Sequence, residues 1–464
     1  MTQNPLVYPY IPNSVPEIKA RMLEAVGAQS AAEFYAAIPD ELLLKRPLNL
    51  PEPFLSEYAL RRHVEGLLNK NTHTKQYLSF LGAGCWPHYV PSICDEINGR
   101  SEFLTAYAGE PYDDHGRFQA LFEYASMMGE LLEMDIVSIP TYDWMQAAAS
   151  SIRMAARITG RSKALVSGTV SAWKLSKFQD YCRPDIALES IAFDPNSGLM
   201  DLEDLSSKLS ADIAGVYFEN PSYLGVIESQ GAQIAEMAHS HRALCLTGVD
   251  PSSLGVLAPP SAYGADLVSG DLQPLGVHQN YGGGQAGFIA SRDELAFVSE
   301  YPSRLFGITH TSVPGEYGFG DVAYERTSFA QREQGNEWVG TGAALWAITA
   351  GVYLALMGPS GLRELGQGIL QRAKYAAQQI DRIPGVCAPA LSAAPFKEFV
   401  VNFDGTGLTA AEINRRLLAR EIFGGLDLSA EFPQLGQSAL YCVTEIHTQA
   451  DIDQLASALQ EALK

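Results

Sequence analysis

Residues 243–272 read ALCLTGVDPSSLGVLAPPSAYGADLVSGDL. Two short apolar runs, Ala243 to Asp250 and Ala265 to Leu272, flank a stretch punctuated by Pro251, Pro259 and Pro260. Runs of that length bounded by turn residues read as buried strands. Working outward, comparable runs appear at Lys163 to Val170, Ile186 to Phe193, Gly215 to Glu219 and Gly287 to Ser291, in alternation with helical stretches. That alternation predicts an α/β fold with a largely parallel sheet and helices on both faces. Phe118 to Leu132 and Met145 to Thr159 are long helical patterns with small or apolar residues on most faces, so both should be buried, and Gly160 is placed to end the second. A further apolar helix is expected at Trp338 to Gly358.

The two ends of the chain differ from this middle. Pro5, Pro9, Pro12 and Pro16, then Pro39, Pro47, Pro51 and Pro53, frame a helical pattern from Glu17 to Gly27. Short helices joined by stiff turns suit an arm that wraps another surface. At the other end, strands at Phe396 to Phe403 and Leu440 to Thr444 and helices at Ala410 to Glu421 and Gln449 to Leu463 make a smaller α+β unit. The expected division is an N-terminal arm over 1–75, a large α/β domain over 76–360 and a C-terminal α+β domain over 361–464.

Composition limits the function. The 464 residues carry 32 Lys plus Arg against 53 Asp plus Glu, a net charge of -21. Such a surface repels the phosphate backbone that dominates nucleic-acid affinity, so no nucleic-acid role is expected. Six cysteines stand far apart without a CxxC pair, the usage of a reducing compartment, and a cytoplasmic protein is expected. No apolar run reaches about 18 residues and the N-terminus has no basic start ahead of an apolar stretch, so neither a membrane span nor secretion is expected.

Asp250 ends a strand and meets Pro251. An Asp before a Pro is an ordinary turn former. It also resembles the acidic residue that, in fold-type I pyridoxal phosphate enzymes, pairs with the pyridine nitrogen of the cofactor. That chemistry needs a Schiff-base lysine roughly twenty to thirty residues later. Residues 209 to 373 contain no lysine, although even scattering of the chain's eleven lysines would place about four there. Near the expected position stands Gln273, whose amide cannot form an imine. The glycine cluster Gly282, Gly283, Gly284 and Gly287 fits neither a Walker nor a dinucleotide pattern; it reads as a tight loop, or as a loop approaching a neighbouring cofactor. His239 and His241 are two apart and share no helix face, so no metal site is expected there.

The segments IPDELLLKRPLNLPEPFLSEYALRRHVEGLLNKN, SFLGAGCWPHYVPSICDEINGRSEFLTAY, FQALFEYASMMGELLEMD, YGADLVSGDLQPLG, YPSRLFGIT and VYLALMGPSGLREL resemble the α-subunit (subunit 1) branch of the glycine cleavage P-protein, glycine dehydrogenase (decarboxylating). The resemblance runs in order from about residue 11 to 366. It implies a fold-type I pyridoxal phosphate-dependent transferase-like chain in a heterotetramer of two α and two β chains. The β subunit would carry pyridoxal phosphate on its lysine, decarboxylate glycine and pass the aminomethyl group to lipoyl H-protein. The α chain would complete the active site. By the same resemblance, Tyr107 and His88 contribute to the active site and Asp250 and Gln273 hold vestigial cofactor positions, while Glu110 and Tyr112 are expected to contribute because they stand in the loop that follows Tyr107.

Two stretches depart from the family pattern. Ala108 to His115 and Gln334 to Gly340 replace its characteristic residues, the second with Glu337 and Trp338. Two rival readings follow: a paralogous complex acting on a different amino acid, and a non-catalytic pseudoenzyme scaffold.

Overall fold

The computed structural model describes residues 7–46, 48–103, 117–340 and 342–464. Contacts divide the chain into Met1–Thr72 and His73–Lys464. In the first unit, the Pro16–Ala25 helix starts on its proline, and Ser30 and Glu33 form a reciprocal capping box at the turn Ala31–Tyr35. The Glu57–Leu68 helix is capped by Ser56, whose hydroxyl accepts from the Ala59 amide. None of the unit's described residues is buried. Apolar side chains such as Tyr10, Leu42, Leu50, Leu55 and Tyr58 are instead open to solvent.

The second unit is built on a seven-stranded sheet. Its strand order is Ile136–Val137, Gly287–Ser291, Leu267–Asp271, Leu244–Val249, Ile213–Glu219, Lys163–Ser167 and Ala187–Ile191. The last five of these pair in parallel, and Gly287–Ser291 runs antiparallel to both of its neighbours. The sheet is thus mostly parallel, as the alternating pattern predicts, and the central strands Ile213–Glu219 and Leu267–Asp271 are buried at every residue. The Trp144–Thr159 helix packs across it with Trp144 to Ile152 all buried and ends on Gly160 at φ +66°. The Phe118–Leu132 helix buries Phe118, Leu121, Tyr124, Met128 and Leu132.

The apolar helix expected at Trp338 to Gly358 begins later, at Ala344, and runs to Asp381. Gly358, at φ +58° and ψ -178°, breaks its course beside Pro359, which lacks the amide needed to continue the ladder. This helix is long and apolar enough to cross a membrane by composition, yet Ala347, Ile348, Tyr353, Leu354, Leu365 and Ile369 pack into the core. Beyond it lies a smaller region with antiparallel strands, Glu398–Asn402, Ser438–Cys442 and Leu426–Asp427, backed by the Ala410–Leu418 and Gln449–Ala462 helices.

The turn at Gly225 is one of the places where the C-terminal region is stitched to the sheet. Phe396 N donates to Gly225 O at 3.1 Å and Ile227 N to Ala394 O at 2.8 Å. Gly225 sits at φ +83°, and a Cβ on it would lie 1.9 Å from Glu398 O. Only glycine allows both the left-handed turn and this approach. Gly225→Ala is therefore expected to cost about 3 kcal/mol or more, because backbone must move as well as side chain. A urea titration of the purified chain beside Gly307→Ala, whose Cβ would meet only Val322 at 3.5 Å, checks this.

Candidate functional site

Three adjacent parallel strands end in carboxylates. Glu219 closes Ile213–Glu219, Asp250 follows Leu244–Val249, and Asp271 closes Leu267–Asp271. All three are buried, and the carboxyl edge of such a sheet is where α/β proteins place ligands. A pocket of about 640 Å³, counting its open mouth, lies there between the strand ends and residues 396–398. Trp86, Trp144, Lys174, Glu219, Asp250 and Lys397 line it.

Each carboxylate is answered by a different partner. Lys174, on the helix Ala172–Cys182, places Nζ 2.5 Å from Glu219 Oε1, which also accepts from Tyr217 Oη at 3.0 Å. Lys397 Nζ lies 2.7 Å from Asp250 Oδ2 as an ion pair off the hydrogen-bond axis, while Asp250 Oδ1 accepts from Ser252 N at 3.0 Å and Ser252 Oγ at 2.8 Å. Asp250 is thus both a turn former, capping Pro251–Gly255, and a buried counter-ion. Asp271 has no cation among the described residues; it accepts from the amides of Trp144, Gln273 and Ala286 at 3.1, 2.9 and 3.2 Å. Burial pushes its carboxyl up to about 6 against those three amides. Both ammonium groups also rest on indole faces: Lys174 Nζ is 3.7 Å from the Trp144 ring centre and Lys397 Nζ 3.6 Å from that of Trp86.

The loop around Trp86 is held from both sides. Gln273 Oε1 accepts from Trp86 N, and Gln273 Nε2 donates to Trp86 O, both at 3.0 Å, with a further bond to Val277 O at 3.2 Å. Glu398 accepts from Ala83 N at 2.6 Å and from the Trp86 indole nitrogen at 2.7 Å. Burial raises Glu398 to about 6, although both donors and Lys397 oppose the shift. His88 joins the same network: Lys397 Nζ donates to its Nε2 at 3.1 Å, and its Nδ1 faces Glu445 Oε2 at 2.9 Å. A charged Lys397 makes Nε2 the acceptor, so Nδ1 carries the hydrogen toward Glu445.

Of the residues expected from sequence, His88, Asp250 and Gln273 meet around Trp86 and Lys397. Tyr107, Glu110 and Tyr112 lie outside the described residues, with the rest of Ala108 to His115. The glycine cluster forms a tight loop in which Asn280, Tyr281 and Gly282 are all left-handed and Tyr281 is fully exposed. His239 pairs with Asp266 at 2.8 Å. In the second divergent stretch, Glu337 turns inward to Ser150 at 2.7 Å, Arg153 at 3.3 Å and Arg157 at 3.6 Å, and Trp338 packs edge-on against Phe329. Sequence reading missed Lys174, Lys397, Glu398 and Glu445. Their one signal was the adjacent charges Lys397 and Glu398 inside the apolar run FKEFVVNF.

The profile of the glycine cleavage system P-protein family matches residues 9–459. The chain belongs to this family. The probable glycine dehydrogenase (decarboxylating) subunit 1 of Staphylothermus marinus is 38% identical over 98% of each chain, and that of Saccharolobus solfataricus 37% identical over 98% of each. A crystal structure of glycine decarboxylase (P-protein) in inhibitor-bound form superposes with a TM-score of 0.83 at 32% identity, covering 98% of this chain and all of that one. Sphingosine-1-phosphate lyase of Burkholderia pseudomallei shares the fold, with a TM-score of 0.64 at 16% identity over 90% of this chain and 92% of that one. The fold is that of the fold-type I pyridoxal phosphate proteins, as the resemblance implies.

Within this member of the P-protein family, Glu445 gives a test of the network. Burial raises its carboxyl, but the hydrogen bonds from the neutral His88 ring and the Tyr89 amide oppose it and hold the group below the usual carboxylate range. A depressed carboxylate contributes stability above its unfolded value near 4.5, lost as pH falls toward its lower folded value. Glu445→Gln is therefore expected to cost about 1–3 kcal/mol at pH 7. That difference from the parent should shrink below pH 4.5, which urea titrations across pH 3 to 7 would reveal.

Proposed function

We propose that this chain is the α-type subunit of a glycine decarboxylase, the one without the Schiff-base lysine. The observation that carries the reading concerns Gln273. In a chain that matches subunit 1 proteins along nearly its whole length, the amide near the expected Schiff-base position is bonded to the backbone of Trp86. Its fold family implies pyridoxal phosphate as the cofactor of the assembly, and the covalent lysine belongs to a β partner. The α chain supplies walls and orientation to that site, with lipoyl H-protein as the acceptor of the aminomethyl group. Assembly is a heterotetramer of two α and two β chains. The apolar side chains exposed on Met1–Thr72 support an arm that is covered by the partner. All six cysteines are free, which supports a cytoplasmic location.

The paralogue reading drew on two divergent stretches. The carboxylate of Glu337 is held by Arg153 and Arg157, which weakens one of them; the other, 108–115, lies outside the described residues. By resemblance, Tyr107 walls the bound amino acid.

Co-expression with a lysine-bearing β chain is expected to give a stable heteromer that exchanges CO2 with glycine in the presence of H-protein, and faster than with a panel of other amino acids. A faster rate with another amino acid would favour the paralogue. Deleting residues 1–72 should abolish co-purification of the two chains. Tyr107→Phe in the assembled complex should slow glycine exchange about tenfold, the effect of one lost polar contact of about 1–3 kcal/mol.

A further inference from the structure

The cofactor of this fold family has two recognisable ends. Its phosphate needs donors, which a helix N-terminus supplies, and its ring nitrogen needs a carboxylate. Both kinds of group are present at the sheet edge of this chain; the carboxylate and the helix-start amides are already taken, while Ser222 Oγ and the Trp144 indole nitrogen are not. Asp250 Oδ2 faces Lys397 Nζ at 2.7 Å, with the two side chains 5% and 3% exposed. The ammonium is held further by His88 Nε2 at 3.1 Å, by Ser252 Oγ at 3.4 Å and by the Trp86 ring. At the start of the Trp144–Thr159 helix, the Trp144 amide donates to Asp271 Oδ2 at 3.1 Å and the Gln146 amide to Asp143 Oδ1 at 2.7 Å. Two carboxylates thus stand where a phosphate would seek donors. The bulky Trp144 and Met145 begin that helix and both border the pocket. The donor set therefore does not fit pyridoxal phosphate.

We infer that this chain excludes pyridoxal phosphate altogether, by a pocket filled with its own charges: Lys397 is the resident cation of Asp250, and Asp143 and Asp271 are the resident anions of the helix start. Loss of a Schiff-base lysine removes only the covalent bond, and a chain lacking nothing else would still hold the cofactor or its amine form by non-covalent contacts. Here the carboxylate and the helix-start amides are occupied as well. Insertion would place a phosphate beside buried Asp271 and would separate an ion pair whose partners are nearly buried. The inference deepens the proposed function and rests on its assignment of the cofactor to the partner chain.

Pyridoxamine 5′-phosphate is the direct probe, because it needs no lysine. Equilibrium dialysis of the full-length chain against it at millimolar concentration is expected to show no saturable binding; a stoichiometric, saturable equivalent overturns the inference. Pyridoxal phosphate itself gives a second readout, since it forms imines with any accessible lysine amine and borohydride reduces these to stable secondary amines. Peptide mapping after such treatment should find label on surface lysines such as Lys45 and Lys163, which are 61% and 52% exposed. Lys174 and Lys397 should remain unlabelled, and label on Lys397 at stoichiometric yield overturns the inference. Gln273→Lys returns an amine to the expected position and should still give no trapped adduct at residue 273; a stoichiometric adduct there overturns it too. If that variant does not fold, the dialysis and mapping of the parent chain decide. Failure of the proposed function shows differently, as a complex with the lysine-bearing chain that binds no cofactor and leaves glycine untouched.

Discussion

Three carboxylates buried at the ends of three neighbouring strands impose the constraint from which the site follows. Glu219, Asp250 and Asp271 are each no more than 3% exposed. An uncompensated charge in that position costs several kcal/mol, and removing one member of a buried pair costs about 3–5 kcal/mol. Each carboxylate must therefore draw a partner to it, and the partners come from different parts of the chain. Lys174 arrives on the helix that follows the Lys163–Ser167 strand, and the Trp144 amide arrives at the start of the helix that crosses the sheet. Lys397 comes from the start of the C-terminal antiparallel region, more than a hundred residues after Asp250. The C-terminal region is placed by this charge as well as by apolar packing. The Gly225 turn, which lets the backbone at Glu398 come within contact, gives Lys397 its reach.

The same pair organises the loop at residues 80–90. Lys397 bonds His88, His88 faces Glu445, and Glu445 accepts from Tyr89 N at 2.8 Å. Glu398, the next residue in the chain, takes the other end of the loop through Ala83 and Trp86. Successive residues on a strand point to opposite sides, so one Lys-Glu dipeptide can serve the sheet edge and the loop together. His88 has a structural task here whatever its role in the assembled complex. Networks of this kind are strong when every member is satisfied and costly when one is lost.

Periodicity made the sheet and its helices legible in the sequence, because strand and helix repeats are local properties. The Phe118–Leu132 helix has the expected ends, and the strands fall within a few residues of the expected runs. The helix at Ala344 was misplaced at both ends. Trp338 and Val339 carry an apolar signal that belongs to ring and loop packing, and Gly358-Pro359 reads as a stop where the chain resumes helix after one left-handed residue. The site was legible only in part. Asp250 and the missing lysine could be read from position along the chain, since Asp250 follows one strand and Gln273 follows the next. Lys397 and Glu445 could not, because a buried lysine is identified by the carboxylate it meets, and the residues that meet are far apart in sequence. Gln273 was placed near the right position, but its bonds to the Trp86 backbone depend on a fold that no local pattern specifies.

A pocket at the carboxyl edge of an α/β sheet usually keeps some groups unsatisfied, since reactivity requires a donor, acceptor or nucleophile that the folded protein has not already paired. Here the charged groups are paired, although Ser222 Oγ and the Trp144 indole nitrogen, on residues that line the pocket, have no hydrogen-bond partner among the described residues. The two lysines that border the pocket each sit on a carboxylate and an indole face, and Asp271 is satisfied by three amides. Such a pocket gives up chemistry of its own in exchange for rigidity, the reverse of the usual compromise between stability and activity. A rigid chain whose pocket charges are paired can still shape a neighbouring site, which needs only that walls and contacts be held to within a fraction of an ångström. The apolar side chains left exposed on the first 72 residues make sense on the same terms: they are unfavourable in water and become favourable once another surface covers them. Interior charge pairing and exterior apolar exposure therefore lead to one physical picture, a chain whose buried charges are answered from within and whose apolar surface is not.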